Sequence, residues 1–142
     1  MANDSRLADE VRVPIFSDED IVTARQEGRR LSGQLGFSST DLTLIATAIS
    51  EVARNIRRYA NRGEVDMRLV REGVRDGILV VARDEGPGIS DIEMAMQDGW
   101  STGNSFGLGL PGARRLMDDF EISSEEGEGV TVTMTKWSRA GV

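Results

Sequence analysis

The chain has 142 residues, and its 39% hydrophobic and 29% charged content is typical of one globular domain, which we expect to span residues 1–142. A net charge of −7 argues against nucleic acid as the main partner, and the lack of cysteine and histidine excludes disulfides, a histidine base and histidine metal ligands. The sequence has no apolar run long enough to span a bilayer and no signal peptide, so we expect no membrane contact and a cytoplasmic location.

The first elements follow from alternation and capping signals. Residues 1–9 are polar and predict a flexible tail, and alternating apolar residues at 10–15 predict a strand. A first helix should begin with the capping residues Ser17 and Asp20 and end at Gly36. Its apolar side comprises Ile21, Ala24, Leu31 and Leu35.

The rest of the chain alternates between helical and strand patterns. We expect a helix at 39–60 that stops before Gly63, followed by strands at 65–70 and 77–83 around a turn at 71–77. After a short helix at 91–97, a helix at 110–120 should have a buried side at Leu110, Ala113, Leu116, Met117 and Phe120. Strands at 120–123 and 130–137 complete the predicted elements. This order predicts an α/β two-layer sandwich, in which helices cover one face of a mostly antiparallel mixed sheet.

Residues 84–112 hold seven of the sixteen glycines. Glycine allows backbone to turn through positive φ and to approach a ligand closely. The last of these glycines lead into the predicted helix at 110–120, and a helix N-terminus offers unpaired N–H groups to phosphate. Together with the helix before it, this stretch favours a nucleotide site over two ordinary glycine turns.

The helix at 39–60 carries two polar side chains beside its apolar stripe. Glu51 and Asn55 lie about 40° apart around the helix axis and so share one edge of it, which predicts a position at the rim of the core. An amide oxygen suits Mg²⁺, and a carboxylate one turn away can take a proton from a hydroxyl nucleophile. A solvated helix flank is the alternative interpretation.

Four short motifs in order resemble the GHKL family of ATP-binding proteins. They are Glu51-Val-Ala-Arg-Asn55 (E-x-x-x-N), Asp84-Glu-Gly-Pro-Gly88 (D-x-G-x-G), Gly107-Leu-Gly109, and Gly129-Val-Thr131. The family has the two-layer (Bergerat) ATP-binding fold. Each motif is weak alone, but the four together span nearly the whole chain.

The resemblance assigns roles by position. Glu51 would be the general base, Asn55 would ligate Mg²⁺ within the ATP site, and Asp84 would accept a hydrogen bond from the adenine amino group. The other ATP-binding positions would be Gly86 and Gly88 at the base, Ser101, Thr102 and Gly103 in a lid at 101–106, Gly107, Leu108 and Gly109 at the phosphates, and Thr131 beside the adenine. No Lys or Arg lies between Asp84 and Ala113, so Mg²⁺ and backbone N–H groups would offset the phosphate charge, and Arg54, Arg58 and Arg114 are the candidates for an arginine that reaches the γ-phosphate.

Within the family the chain most resembles the small serine/threonine switch kinases of bacterial stress signalling. This implies an ATP:protein phosphotransferase that phosphorylates STAS-domain antagonist proteins of the stressosome type and then activates a PP2C-type phosphatase by binding it. Two alternatives stay open: an anti-sigma factor kinase that also sequesters a sigma factor, and a non-catalytic ATP-dependent binding module. The basic face formed by Arg54, Arg57 and Arg58 is the expected docking surface, and an ordinary solvated basic face is the alternative interpretation.

Overall fold

A computed structural model describes residues 10–86, 109–125 and 129–138. The elements are β1 (Glu10–Ile15), α1 (Asp18–Ser32), α2 (Ser39–Tyr59), β2 (Gly63–Glu72), β3 (Arg75–Asp84), α3 (Gly109–Leu116), β4 (Asp119–Glu125) and β5 (Gly129–Trp137). The predicted tail at 1–9 and the predicted short helix at 91–97 lie outside the described residues.

The strands form one sheet in the order β1-β2-β3-β5-β4, and all four pairings are antiparallel. Alternate side chains face the helices and form a buried core: Val13, Ile15, Val65, Met67, Leu69, Ile78, Val80, Ala82, Val130, Val132 and Met134. Within the described ranges, helices α1, α2 and α3 pack on this face, since their buried residues belong to the same core. The predicted two-layer sandwich is therefore confirmed.

The start of α1 is held by the carboxylate of Asp20. Its Oδ2 accepts the N–H groups of Phe16 at 2.8 Å and Ser17 at 3.0 Å. These bonds, the one from Phe16 first, lower the pKa of Asp20. The helix ends at Ser32, with Gly33 as its C-cap, and not at Gly36 as expected.

Two further boundaries differ from the sequence-based expectation. The turn predicted at 71–77 shrinks to two residues, because Glu72 pairs with Arg75 across the hairpin and Gly73 has a φ of 63°. The helix predicted to reach Phe120 ends at Leu116, where the Lys136 ammonium donates to the Leu116 carbonyl at 2.9 Å. Phe120 then pairs with Met134 in the sheet.

Candidate functional site

Helix α2 is oriented by its buried stripe. The side chain of its N-cap, Ser38, accepts the Asp41 N–H at 3.1 Å, which satisfies one of the donors left open at a helix start. The stripe comprises Ile45, Ile49, Val52 and Ile56, which are at most 3% exposed. Burying four such side chains fixes the rotation of the helix and hence the direction of its polar residues.

Glu51 lies deeper than the rim position predicted for it, since only 5% of the residue is exposed. Its Oε1 accepts the Gly109 N–H at 2.9 Å, and its Oε2 accepts a guanidinium N–H of Arg54 at 3.0 Å. The first turn of α3 therefore closes over the edge of α2 that carries this carboxylate. Asn55 follows one turn later and is half-buried.

Asp84 ends β3 at the corner that the glycine pattern predicts. Its Oδ1 accepts the Gly86 N–H at 3.0 Å and the Val130 N–H at 2.9 Å. Both hydrogen bonds that Asp84 accepts from described residues fall on Oδ1. Gly129 precedes Val130 with a φ of 87°, and a Cβ there would collide with the Asp84 carbonyl.

Gly86 joins this corner to the end of α2. A Cβ at Gly86 would lie 2.6 Å from the Ala60 Cβ, a distance that packed side chains do not tolerate. Glycine here thus permits the loop after β3 to lie directly on the helix. The role predicted for Gly86, a close backbone approach, has a structural counterpart, although the neighbour in the structure is α2.

The register does not bring the Thr131 side chain to this corner. Thr131 pairs with Arg83, so its side chain lies on the sheet face opposite the helices, whereas Asp84 and the core residue Val130 face the helices. Sequence reasoning missed the backbone of Val130 as the Asp84 partner. The signal was available, because a glycine directly before a strand residue often marks a close approach of two backbones.

Several predicted site residues lie outside the described part of the chain. They are Gly88, Ser101, Thr102, Gly103, Gly107 and Leu108, so the predicted lid and most of the phosphate loop are untested. Of the three arginines considered for the γ-phosphate, Arg54 contacts Glu51, Arg58 lies 6.0 Å from the centre of the Tyr59 ring, and Arg114 is exposed on α3.

A groove of about 470 Å³ lies between α1 and α2. Its lining is rich in arginine, and it comprises Asp18, Ile21, Val22, Arg25, Arg54, Arg57 and Arg58. Arg57 contacts Asp18 at 3.4 Å and donates to the Asn61 carbonyl at 2.8 Å. Arg54 belongs both to this groove and to the Glu51 site.

The described residues contain no cluster of three or more acidic groups that could hold a metal by themselves. Within these same ranges no helix is long and apolar enough to cross a membrane. A Mg²⁺ ion often takes only one or two protein ligands and completes its shell with phosphate oxygens and water. Asn55 is half-buried, and its amide oxygen has that donor chemistry.

Comparison with known proteins identifies the family. The histidine kinase-like ATPase domain family matches residues 16–136. The serine/threonine-protein kinase RsbT of Bacillus subtilis is 46% identical over 94% of this chain and all of its own length. An anti-sigma F factor from Caldanaerobacter subterraneus is 31% identical over 80% of this chain and 82% of its own length.

Two solved structures share the fold at 19% sequence identity. The RsbU and RsbW domains of a Mycobacterium tuberculosis protein superpose with a TM-score of 0.65 over 93% of this chain and 33% of theirs. The mycobacterial sensor histidine kinase MprB superposes with a TM-score of 0.54 over 91% of this chain and 99% of its own. The GHKL resemblance is thus confirmed, and the chain belongs to the histidine kinase-like ATPase domain family.

Proposed function

We propose that this protein is a cytoplasmic, ATP-dependent serine/threonine kinase formed by a single domain. Its acceptors are hydroxyls on STAS-domain antagonist proteins, and it then binds and activates a PP2C-type phosphatase. The kinase activity is supported by 46% identity to a protein named as a serine/threonine kinase. The single structural observation that carries the proposal is the buried Glu51 carboxylate, which lies one helical turn before Asn55 and against the N-terminus of α3.

Each site residue then has a chemical task. Glu51 takes the proton of the acceptor hydroxyl, and the N-terminus of α3 offers N–H groups to the phosphates. Asp84 Oδ2 accepts from the adenine amino group, because Oδ1 is already held by Gly86 and Val130. Asn55 would hold Mg²⁺, which when bound offsets the charge of the phosphates.

The arginine-rich groove between α1 and α2 is the proposed docking surface for the protein substrate. Four of its seven lining residues are arginines in a chain whose net charge is −7, so the groove differs in charge from the molecule as a whole. It is therefore complementary to an acidic segment of the partner. Because Arg54 contacts Glu51, a segment bound in the groove would lie beside the base.

An anti-sigma factor kinase is the second candidate, favoured by relatives at 31% and 34% identity that are named anti-sigma F factor. Such a protein would hold a sigma factor as well as phosphorylate an antagonist. Co-purification of a sigma factor from the native host separates the two. A non-catalytic binding module has no need of the Glu51 carboxylate.

The test is phosphate transfer from [γ-³²P]ATP to a STAS-domain partner, measured for the parent and for Glu51→Gln. A correctly placed base contributes about 10²–10⁴-fold to rate, so transfer should fall by that factor while ATP and partner still bind. Glu27→Gln is the matched control, since Glu27 forms an ion pair with Arg30 three residues later on α1, as Glu51 does with Arg54 on α2. An unchanged rate in Glu51→Gln would remove the catalytic assignment.

A further inference from the structure

One hydrogen bond links the proposed base to the proposed phosphate site. Gly109 is the first residue of α3, where N–H groups have no acceptor within the helix and the dipole favours an anion. In the structure that anion is internal, because Glu51 Oε1 accepts the Gly109 N–H at 2.9 Å. A carboxylate that is 5% exposed therefore occupies the position at α3 that suits a phosphate oxygen.

The second oxygen of Glu51 is held from the other side. Arg54 donates to Oε2 at 3.0 Å from one turn further along the same helix, and its side chain is 43% exposed. The carboxylate thus lies between a donor on α3 and a donor on α2. Loss of the α3 donor would leave Arg54 to keep the carboxylate near its present place.

We propose that the Gly109 N–H changes its acceptor when nucleotide binds, from Glu51 Oε1 to a phosphate oxygen of ATP, and that this exchange frees the base. This inference rests on the kinase function proposed above. A carboxylate and a phosphate cannot share one N–H without repulsion, because like charges a few Å apart interact more strongly at a part-buried site than in bulk water. Binding of the phosphates therefore displaces the carboxylate from α3.

The freed oxygen can then serve the reaction. The acceptor hydroxyl gives its proton to Glu51 Oε1 while its oxygen forms a bond to the γ-phosphorus, and the bond between that phosphorus and the β,γ-bridging oxygen breaks to release ADP. Arg54 is a positioning residue in this scheme, since it holds Oε2 and does not touch the reacting atoms. Without nucleotide, Oε1 remains on Gly109.

The exchange can be measured at the Gly109 amide. We would record ¹⁵N–¹H spectra of the full chain and of Glu51→Gln, each free and saturated with Mg²⁺ and the non-hydrolysable analogue AMP-PCP. The chemical shift of the Gly109 amide proton should differ clearly between the two free proteins, because a charged acceptor is replaced by a neutral one. This difference in chemical shift should largely disappear when nucleotide is bound. A difference that is absent in the free proteins, or that persists undiminished with nucleotide, would overturn the exchange.

Affinity provides a second and independent measurement. With the competing carboxylate neutralised, Glu51→Gln should bind AMP-PCP roughly tenfold more tightly, the factor that corresponds to the difference between a hydrogen bond to a charged acceptor and one to a neutral acceptor. Adenosine, which has no phosphate, should bind both proteins equally. Equal AMP-PCP affinity in the two proteins would contradict the exchange. If the amides of Gly86 and Val130 beside Asp84 do not respond to nucleotide in either protein, the proposed ATP site itself fails.

Discussion

Replacing Asp84 by Asn separates the structural role of this carboxylate from its proposed role in base recognition. Oδ1 accepts two backbone N–H bonds, from Gly86 and Val130, and an Asn side chain keeps an oxygen in that place. Its Oδ2, however, becomes an NH₂ donor. The substitution therefore preserves the hydrogen bonds of the corner but reverses the polarity of the atom that would face the adenine amino group.

The expected magnitudes follow from the difference between charged and neutral hydrogen bonds. Such bonds contribute about 1.5–3 kcal/mol when one partner is charged and about 0.5–1.5 kcal/mol when both are neutral. Asp84→Asn makes the acceptor of the two bonds at Oδ1 neutral, which should lower the folding stability by about 1–3 kcal/mol. Loss of the charged bond to adenine should weaken ATP binding roughly 10- to 100-fold, since 1.4 kcal/mol is a factor of ten.

Isothermal titration with Mg·ATP and Mg·GTP is the assay, run well below the melting temperature of the variant. Guanine presents a carbonyl where adenine presents an amino group, so the Asp84→Asn variant should lose ATP affinity and gain relative affinity for GTP. Glu85→Gln removes the neighbouring charge, which contacts Arg62 at a long distance of 3.6 Å. This variant should change neither the ATP affinity nor the GTP affinity. Unchanged ATP affinity in Asp84→Asn, or an equal loss for both nucleotides, would refute the adenine contact.

Two further predictions concern docking and pH. Arg57→Glu should weaken binding of the STAS-domain partner about tenfold or more, most strongly at low salt, and leave ATP affinity unchanged in calorimetry. Arg68→Glu, on the opposite sheet face, is the control. An equal loss of partner affinity in the two variants would place the docking surface elsewhere. For Asp20, the lowered pKa means that its stabilisation is complete above the ordinary aspartate value of 3.8 and is lost as pH falls through the lower folded value. Urea unfolding should therefore show Asp20→Asn less stable than the parent near neutral pH but not in strong acid, and a pH-independent difference would contradict this cause.

Much of the fold can be predicted from the sequence because local signals agree with the packing. The caps and apolar stripe of α2 predict a helix at 39–60, and the structure has it at Ser39–Tyr59. The hairpin turn is too long in the prediction because its charged residues are also typical of turns. In the structure they pair across the strands, with Arg71 on Asp76 and Arg75 on Glu72, each at 2.7 Å.

The site is predicted less completely, because its details depend on contacts between distant parts of the chain. Helical periodicity places Glu51 at the rim of the core, which is too shallow, because it contains no information about α3, whose Gly109 covers the carboxylate. In the same way, a motif match cannot give the face on which Thr131 lies, since a register shift of one residue reverses every side chain of a strand. The register instead places Val130 at the Asp84 corner.

Helix α2 positions the groups of the proposed reaction, because both sides of the site contact it. The corner of Asp84 and Gly86 packs on Ala60 at the C-terminal end of α2. Gly109 contacts Glu51, which lies nine residues before Ala60. At 1.5 Å per residue these contacts lie about 13 Å apart along the axis, with Asn55 between them. The proposed adenine contact, the proposed metal ligand and the proposed base thus follow one another along the helix in the order in which ATP carries its base, its phosphates and the phosphorus that is attacked. A nucleotide lying along α2 would meet each group in turn, and the acceptor hydroxyl would approach from the groove that Arg54 borders.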